Sequence, residues 1–171
     1  MALTTADGFR QQFKQDRKTE LQKKLAALRV LIVEDSAFVR KMIRGLLAGM
    51  GLHKVAEAPD GFAALQALQS FQPGIILLDL EMPNLNGLQF IRRLRTRGDF
   101  TALAPRILVL TAHADRDRVI YVKENGIGGF LAKPISANGL RGHIVSILNK
   151  IQMAEAAPVP SAESNSFVLL D

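Results

Sequence analysis

Five polar residues stand where apolar runs end: Glu34 and Asp35 after "RVLIV", Asp79 closing "GIILLD", Thr111 closing "RILVLT", and Lys133 after "GFLA". A carboxylate that closes a fully apolar run is costly to bury unless it is paired or metal-bound. Three carboxylates in one place would repel one another and raise each other's pKa values, and a hard divalent ion with oxygen ligands, Mg²⁺ foremost, relieves that repulsion. Phosphoryl transfer then becomes available, because a carboxylate can attack phosphorus to form an aspartyl phosphate. The metal and a lysine neutralise charge on the transferring group while a hydroxyl donates to one of its oxygens. Asp79 is the candidate acceptor, with Lys133 and Thr111 as its partners in that chemistry.

The residues meet only if the chain folds so that these ends converge. From residue 29 onward, short β-branched runs (29–33, 53–57, 74–78, 106–110, 128–131) alternate with stretches of helical period (36–49, 60–70, 84–97, 115–125, 136–152). That alternation predicts an α/β fold with a parallel sheet covered by helices on both faces. "VLIV", "IILL" and "ILVL" are apolar at every position, as central strands buried on both sides must be. A flavodoxin-like five-stranded sheet in the order 2-1-3-4-5 makes them the first, third and fourth strands, and brings Glu34, Asp35, Asp79, Thr111 and Lys133 to one ligand-binding edge.

The motifs "VEDS", "LLDLEMPNLNG" (a D-x-x-M-P-x-x-x-G pattern), "TA" at 111–112 and "FLAKP" at 130–134 occur in that order over about 120 residues. Together they resemble the receiver domain of two-component response regulators, of the stand-alone, chemotaxis-regulator type. The resemblance implies that a histidine kinase phosphorylates Asp79 with Mg²⁺. It also implies that Asp35 ligates the metal directly, Glu34 acts through water and the backbone carbonyl of Glu81 supplies a further ligand. The same resemblance implies that, on phosphorylation, Thr111 moves toward the phosphoryl group, Phe130 rotates inward, and the surface formed by the fourth helix, fifth strand and fifth helix of the domain is remodelled. By the same resemblance, Lys133 is expected to pair with a phosphoryl oxygen and the Lys133–Pro134 bond to be cis. The side chain of Glu81, two residues past the acceptor, occupies a position where the family tunes dephosphorylation.

Taken singly, several of these residues have plainer readings. Asp35 and Ser36 suit a helix cap, Thr111 an ordinary strand position, Lys133 a solvated loop, Phe130 a core position, and "MPNLNG" a turn. His53, His113 and His143 form no cluster at metal-ligand or phosphotransfer spacing.

With 171 residues, 48% of them hydrophobic, the chain is long enough for one core and too short for two ordinary domains. The absence of cysteine excludes a disulfide framework. No apolar run reaches membrane-spanning length and no signal-peptide core precedes the first motif, so the expectation is a cytoplasmic protein. A net charge of +6 includes the patch Arg92, Arg93, Arg95 and Arg97, but one Tyr and no Trp leave few stacking groups for nucleic acid, and no DNA-binding domain is expected.

Residues 29–152 form the expected receiver domain, preceded by an amphipathic extension (1–28) and followed by a flexible tail (153–171). The tail carries the apolar end "SFVLLD", able to add a strand to a partner's sheet or fill a groove. In the extension, Phe9, Phe13, Leu21, Leu25 and Leu28 recur at helical spacing, and the stripe is expected to pack on a second subunit or a partner, the alternative being a helix folded back on its own domain. The leading reading is a single-domain response regulator acting through protein contacts. Its partners are a histidine kinase, a histidine phosphotransfer protein, or a second copy docked through the N-terminal helix or the fourth helix/fifth strand/fifth helix face. It is no enzyme beyond catalysing its own phosphorylation and dephosphorylation. The alternative is a phosphorylation-independent interaction or dimerisation module with the same fold. An aspartyl phosphatase of the haloacid-dehalogenase kind fits less well, since its D-x-D motif would need an aspartate where Glu81 stands.

Overall fold

The computed structural model describes residues 6–98, 106–113 and 116–156. Helix α1 (Ala6–Ala27) leads into β1 (Arg29–Val33). The chain then runs through α2 (Ala37–Gly49), β2 (Lys54–Ala58), α3 (Gly61–Phe71), β3 (Ile75–Asp79), α4 (Gly87–Thr96), β4 (Ile107–Thr111), α5 (Arg116–Glu124), β5 (Gly129–Ala132) and α6 (Ala137–Ala156). The strands form one parallel sheet in the order β2-β1-β3-β4-β5, the flavodoxin-like arrangement expected from the sequence.

Alternation along the strands divides the apolar residues between two cores. Leu31, Val33, Ile76, Leu78, Ile107 and Val109 pack with α3, α4 and α5 through Leu65, Phe90, Ile91, Leu94 and Val122. Val30, Ile32, Ile75, Leu77, Leu108 and Leu110 pack with α2 and α6 through Ile43, Leu47, Leu140, Ile144 and Ile147. The central strands therefore have no solvent face, which is why they read as unbroken apolar runs.

Helix starts follow from side-chain caps. Ser36 caps α2, Asp60 caps α3, and Asn86 with Gln89 forms a capping box on α4. Helix α4 begins later than the expected residue 84, because Asn84 adopts a positive φ of 65° and Asn86 holds the cap. Gly87 opens that helix where a Cβ would run into the carbonyl oxygen of Asp79 and within 2.8 Å of Leu80 Cα. The last residue of "LLDLEMPNLNG" is thus a glycine because the helix starts against the backbone of the acidic residue that begins the turn.

The N-terminal stripe divides. Leu25 is 2% exposed in the second core, and Leu21 and Leu28 pack beside it. For this half, the expectation of a second subunit is corrected, since the chain's own core offers the apolar surface. Phe9 and Phe13 are exposed, their ring centroids 5.2 Å apart. At the other end, α6 continues through Ala156, so the first residues of the expected tail are helical; "SFVLLD" lies outside the described residues. Among the described residues, no helix is long and apolar enough to cross a membrane.

Leu25→Ala is expected to cost about 2–4 kcal/mol of unfolding free energy, and Phe13→Ala less than about 0.5 kcal/mol. Urea denaturation of the two variants checks the division of α1; equal losses would contradict it.

Candidate functional site

The strand register sets the site. Val33 is level with Leu78, Asp79 with Leu110, and Thr111 with Ala132. Glu34, Asp79, Thr111 and Lys133 consequently follow one another across the carboxyl edge of the sheet, where backbone bonds run from Glu34 N to Ala58 O (3.1 Å) and from Lys133 N to Thr111 O (2.8 Å). Glu34, Asp79 and Thr111 are buried, whereas Asp35 is exposed at the rim. One carboxylate oxygen from each of Glu34, Asp35 and Asp79 lies within 4.8 Å of the others.

Lys133 is the counter-charge. Its Nζ donates to Glu34 Oε2 at 2.7 Å and lies 3.2 Å from Asp79 Oδ2. The remaining carboxylate oxygens take backbone donors: Ser36 N to Glu34 Oε1 at 3.2 Å and Glu81 N to Asp79 Oδ1 at 3.1 Å. Among the described residues, no buried side-chain polar atom lacks a hydrogen-bond partner. Burial pushes the Glu34 carboxyl above its usual range, helped by the negative charge of Asp79, and the Lys133 hydrogen bond offsets only part of the rise. Burial acts to lower the pKa of Lys133, but the Glu34 hydrogen bond and the charge of Asp79 overcome it, so the ammonium is held more firmly than usual.

Ser36 caps α2, while Asp35 points its carboxylate into the cluster. The Thr111 hydroxyl donates to His113 O at 3.0 Å and accepts from His113 N at 3.1 Å. The His113 ring reaches across to the neighbouring loop, its Nδ1 3.0 Å from Glu81 Oε1. No linear motif marks this contact, because it joins two loops 32 residues apart. Phe130 is half-buried against the first core, and the Lys133–Pro134 peptide bond is cis. His53 and His143 stand away from the cluster; His143 lies against Gly129 on β5.

Three carboxylates face one ammonium in a pocket of oxygen donors, and this excess of negative charge fits a hard divalent cation. Asp79 is also positioned for nucleophilic chemistry, with a lysine beside one of its oxygens.

Residues 30–145 match the family of response regulator receiver domains. The chain is 32% identical over 124 residues to a chemotaxis protein CheY of Pseudomonas aeruginosa, covering 72% of this chain and 98% of that protein. It is 27% identical to chemotaxis protein CheY-3 of Vibrio cholerae, covering 72% and 94%. Among solved structures, the signal receiver domain of a putative LuxO repressor protein from Vibrio parahaemolyticus has a TM-score of 0.67 at 23% identity, covering 77% of this chain and 98% of that one. A putative two-component system response regulator/GGDEF domain protein has a TM-score of 0.68 at 25% identity, covering 77% and 53%.

Charge crowding predicts opposite effects for two substitutions. Without divalent cations, Asp79→Asn is expected to raise stability by about 1 kcal/mol by removing repulsion while leaving the Glu34–Lys133 pair intact. Lys133→Ala is expected to lower it by about 2–3 kcal/mol by leaving the buried carboxylates uncompensated. Urea denaturation in a chelator checks both signs.

Proposed function

The chain belongs to the response regulator receiver family, and from that premise we propose that it is a phosphoacceptor switch whose acceptor is Asp79. The observation that carries the reading is the buried Asp79 carboxylate beside Lys133, completed by Glu34 and Asp35, which each bring a carboxylate oxygen within 4.8 Å of one of its own. An Asp79 carboxylate oxygen attacks the phosphorus of a phosphohistidine on a kinase or phosphotransfer protein. The new O–P bond forms as the P–N bond breaks, and the imidazole leaves.

Asp35, Asp79, the backbone carbonyl of Glu81 and Glu34 would hold Mg²⁺, which when bound supplies neutralisation of the cluster and of the transferring group. Lys133, now on Glu34 and Asp79, shares its donors with a phosphoryl oxygen. The Thr111 hydroxyl exchanges its bonds to the His113 backbone for one to the phosphoryl group, which frees the start of the loop after β4 to move. Phe130, half-buried on neighbouring β5, follows that movement, and the face formed by α5, β5 and α6 changes shape for a partner protein.

Glu81 tunes the lifetime of the product. Its side chain, two residues past Asp79, is held by His113 and 43% exposed. A negative charge there alters the approach of the hydrolytic water.

The first experiment is intact mass with a small acyl phosphate donor and Mg²⁺. The wild type is expected to gain one phosphoryl group and Asp79→Ala none; equal gain by both would remove Asp79 as acceptor. Absence of a gain in the wild type, with the cognate kinase failing as well, would favour the phosphorylation-independent module. Sedimentation of the same samples assigns the output, a changed coefficient to self-association and an unchanged one to a different protein. Glu81→Asn is expected to change the rate of phosphate loss by about threefold or more, read by decay of the phosphorylated mass; an unchanged rate would exclude Glu81 from that role.

A further inference from the structure

Glu34 and Asp35 are adjacent, and adjacent residues of an extended chain point to opposite sides. Both nevertheless contribute a carboxylate oxygen to one cluster. The backbone must therefore turn between them, just beyond the last paired residue of β1, Val33. What holds that turn is Arg40. Its Nη1 donates to the carbonyl oxygens of Glu34 (2.8 Å) and Asp35 (3.0 Å), while its Nε donates to Glu57 Oε2 at 3.0 Å. The Arg40 side chain is only 17% exposed. Glu57, on edge strand β2, is fixed in turn by Arg44, whose Nε donates to Glu57 Oε1 at 2.6 Å and whose Nη2 donates to Val55 O at 3.3 Å. The Arg44 hydrogen bond, with that of Arg40, outweighs burial and keeps Glu57 ionised below the usual glutamate range.

We infer that Arg40, anchored by Glu57, is a positioning residue that sets the Glu34–Asp35 turn so that both carboxylates face the cation site. The inference rests on the acceptor-site reading. Arg40 touches the carbonyls of the acidic pair and not their carboxylates, so it acts through backbone geometry. A guanidinium fork suits the task, since one rigid group spans two carbonyls and a carboxylate.

Charge and geometry make opposite predictions here. Removing a cation near an anionic site strengthens Mg²⁺ binding by Coulomb's law. Loosening the turn weakens it, as loss of an outer support of a metal site does by about tenfold or more. The experiment is calorimetric titration of the full chain with Mg²⁺, well below the thermal midpoint of each variant. Arg40→Met, which keeps an apolar stem of similar length, is expected to raise the Kd about tenfold. Glu57→Gln is expected to raise it by a smaller factor, and the double variant to bind as Arg40→Met does, because Glu57 acts through Arg40. Binding that Arg40→Met leaves equal or tighter would overturn the role of Arg40, and an additive double variant would overturn the role of Glu57. Failure of the wild type to bind Mg²⁺ would overturn the acceptor-site reading itself, a separate outcome.

Discussion

The ammonium of Lys133 stands between two buried carboxylates from strands far apart in sequence, and the placement of the site depends on it. Its bond to Glu34 closes a loop of 99 residues, tying the end of β5 to the end of β1 across the face of β3 and β4. Such a pair adds little net stability, since desolvation of the charges cancels much of their attraction. What it contributes is position. With Lys133 bound to Glu34 and near Asp79, the proposed acceptor, its counter-charge and the acidic pair occupy fixed places before any cation or phosphoryl group arrives, so little reorganisation is left for the proposed chemistry.

The parallel sheet makes that placement possible at low cost. Strands that are apolar on both faces bury themselves, and each crossover returns the chain to the opposite edge, so every strand ends at the same edge. Polar residues placed at or just past those ends collect there without interrupting either core. The local supports are backbone contacts. Gly87 lets α4 start against the Asp79 carbonyl, Gly61 N donates to Leu85 O at 3.0 Å and docks the loop after β3 on α3, and Arg40 holds the turn after β1.

These two levels differ in how far the sequence reveals them. Sheet order, strand positions and the convergence of five polar residues on one edge were readable because each leaves a linear mark: an unbroken apolar run, a polar residue at its end, a turn motif. The apolar runs place the ends of β3 and β4 one residue early, since Asp79 and Thr111 belong to the ladder by backbone pairing although their side chains are polar. The Arg40–Glu57 and Glu81–His113 contacts leave no such mark. Arg40 reads as one more cation on a helix, and Glu57 as an exposed residue of an edge strand. Their meaning appears only when β2 lies beside α2 and the loops after β3 and β4 face each other. The N-terminal stripe misled for a related reason: helical spacing shows that a face is apolar and not which surface covers it, and Leu25 found a place in the chain's own core.

The arrangement around Thr111 bounds how the proposed switch can be driven. In this structure the hydroxyl makes two hydrogen bonds to the His113 backbone. Each neutral bond has a net worth of about 1 kcal/mol, and one charge-assisted bond to a phosphoryl oxygen about 1.5–3 kcal/mol. Exchanging the two for the one gains at most about 1 kcal/mol, roughly a fivefold shift, whereas moving an equilibrium from 1:99 to 99:1 takes about 5.5 kcal/mol. The hydroxyl alone therefore moves an equilibrium that starts at 1:99 only to about 5:95. The remainder has to come from Lys133 as it redistributes its bonds, and from a partner that prefers the remodelled face of α5, β5 and α6. Phosphorylation and partner binding then reinforce each other by linkage, each raising the population that the other selects.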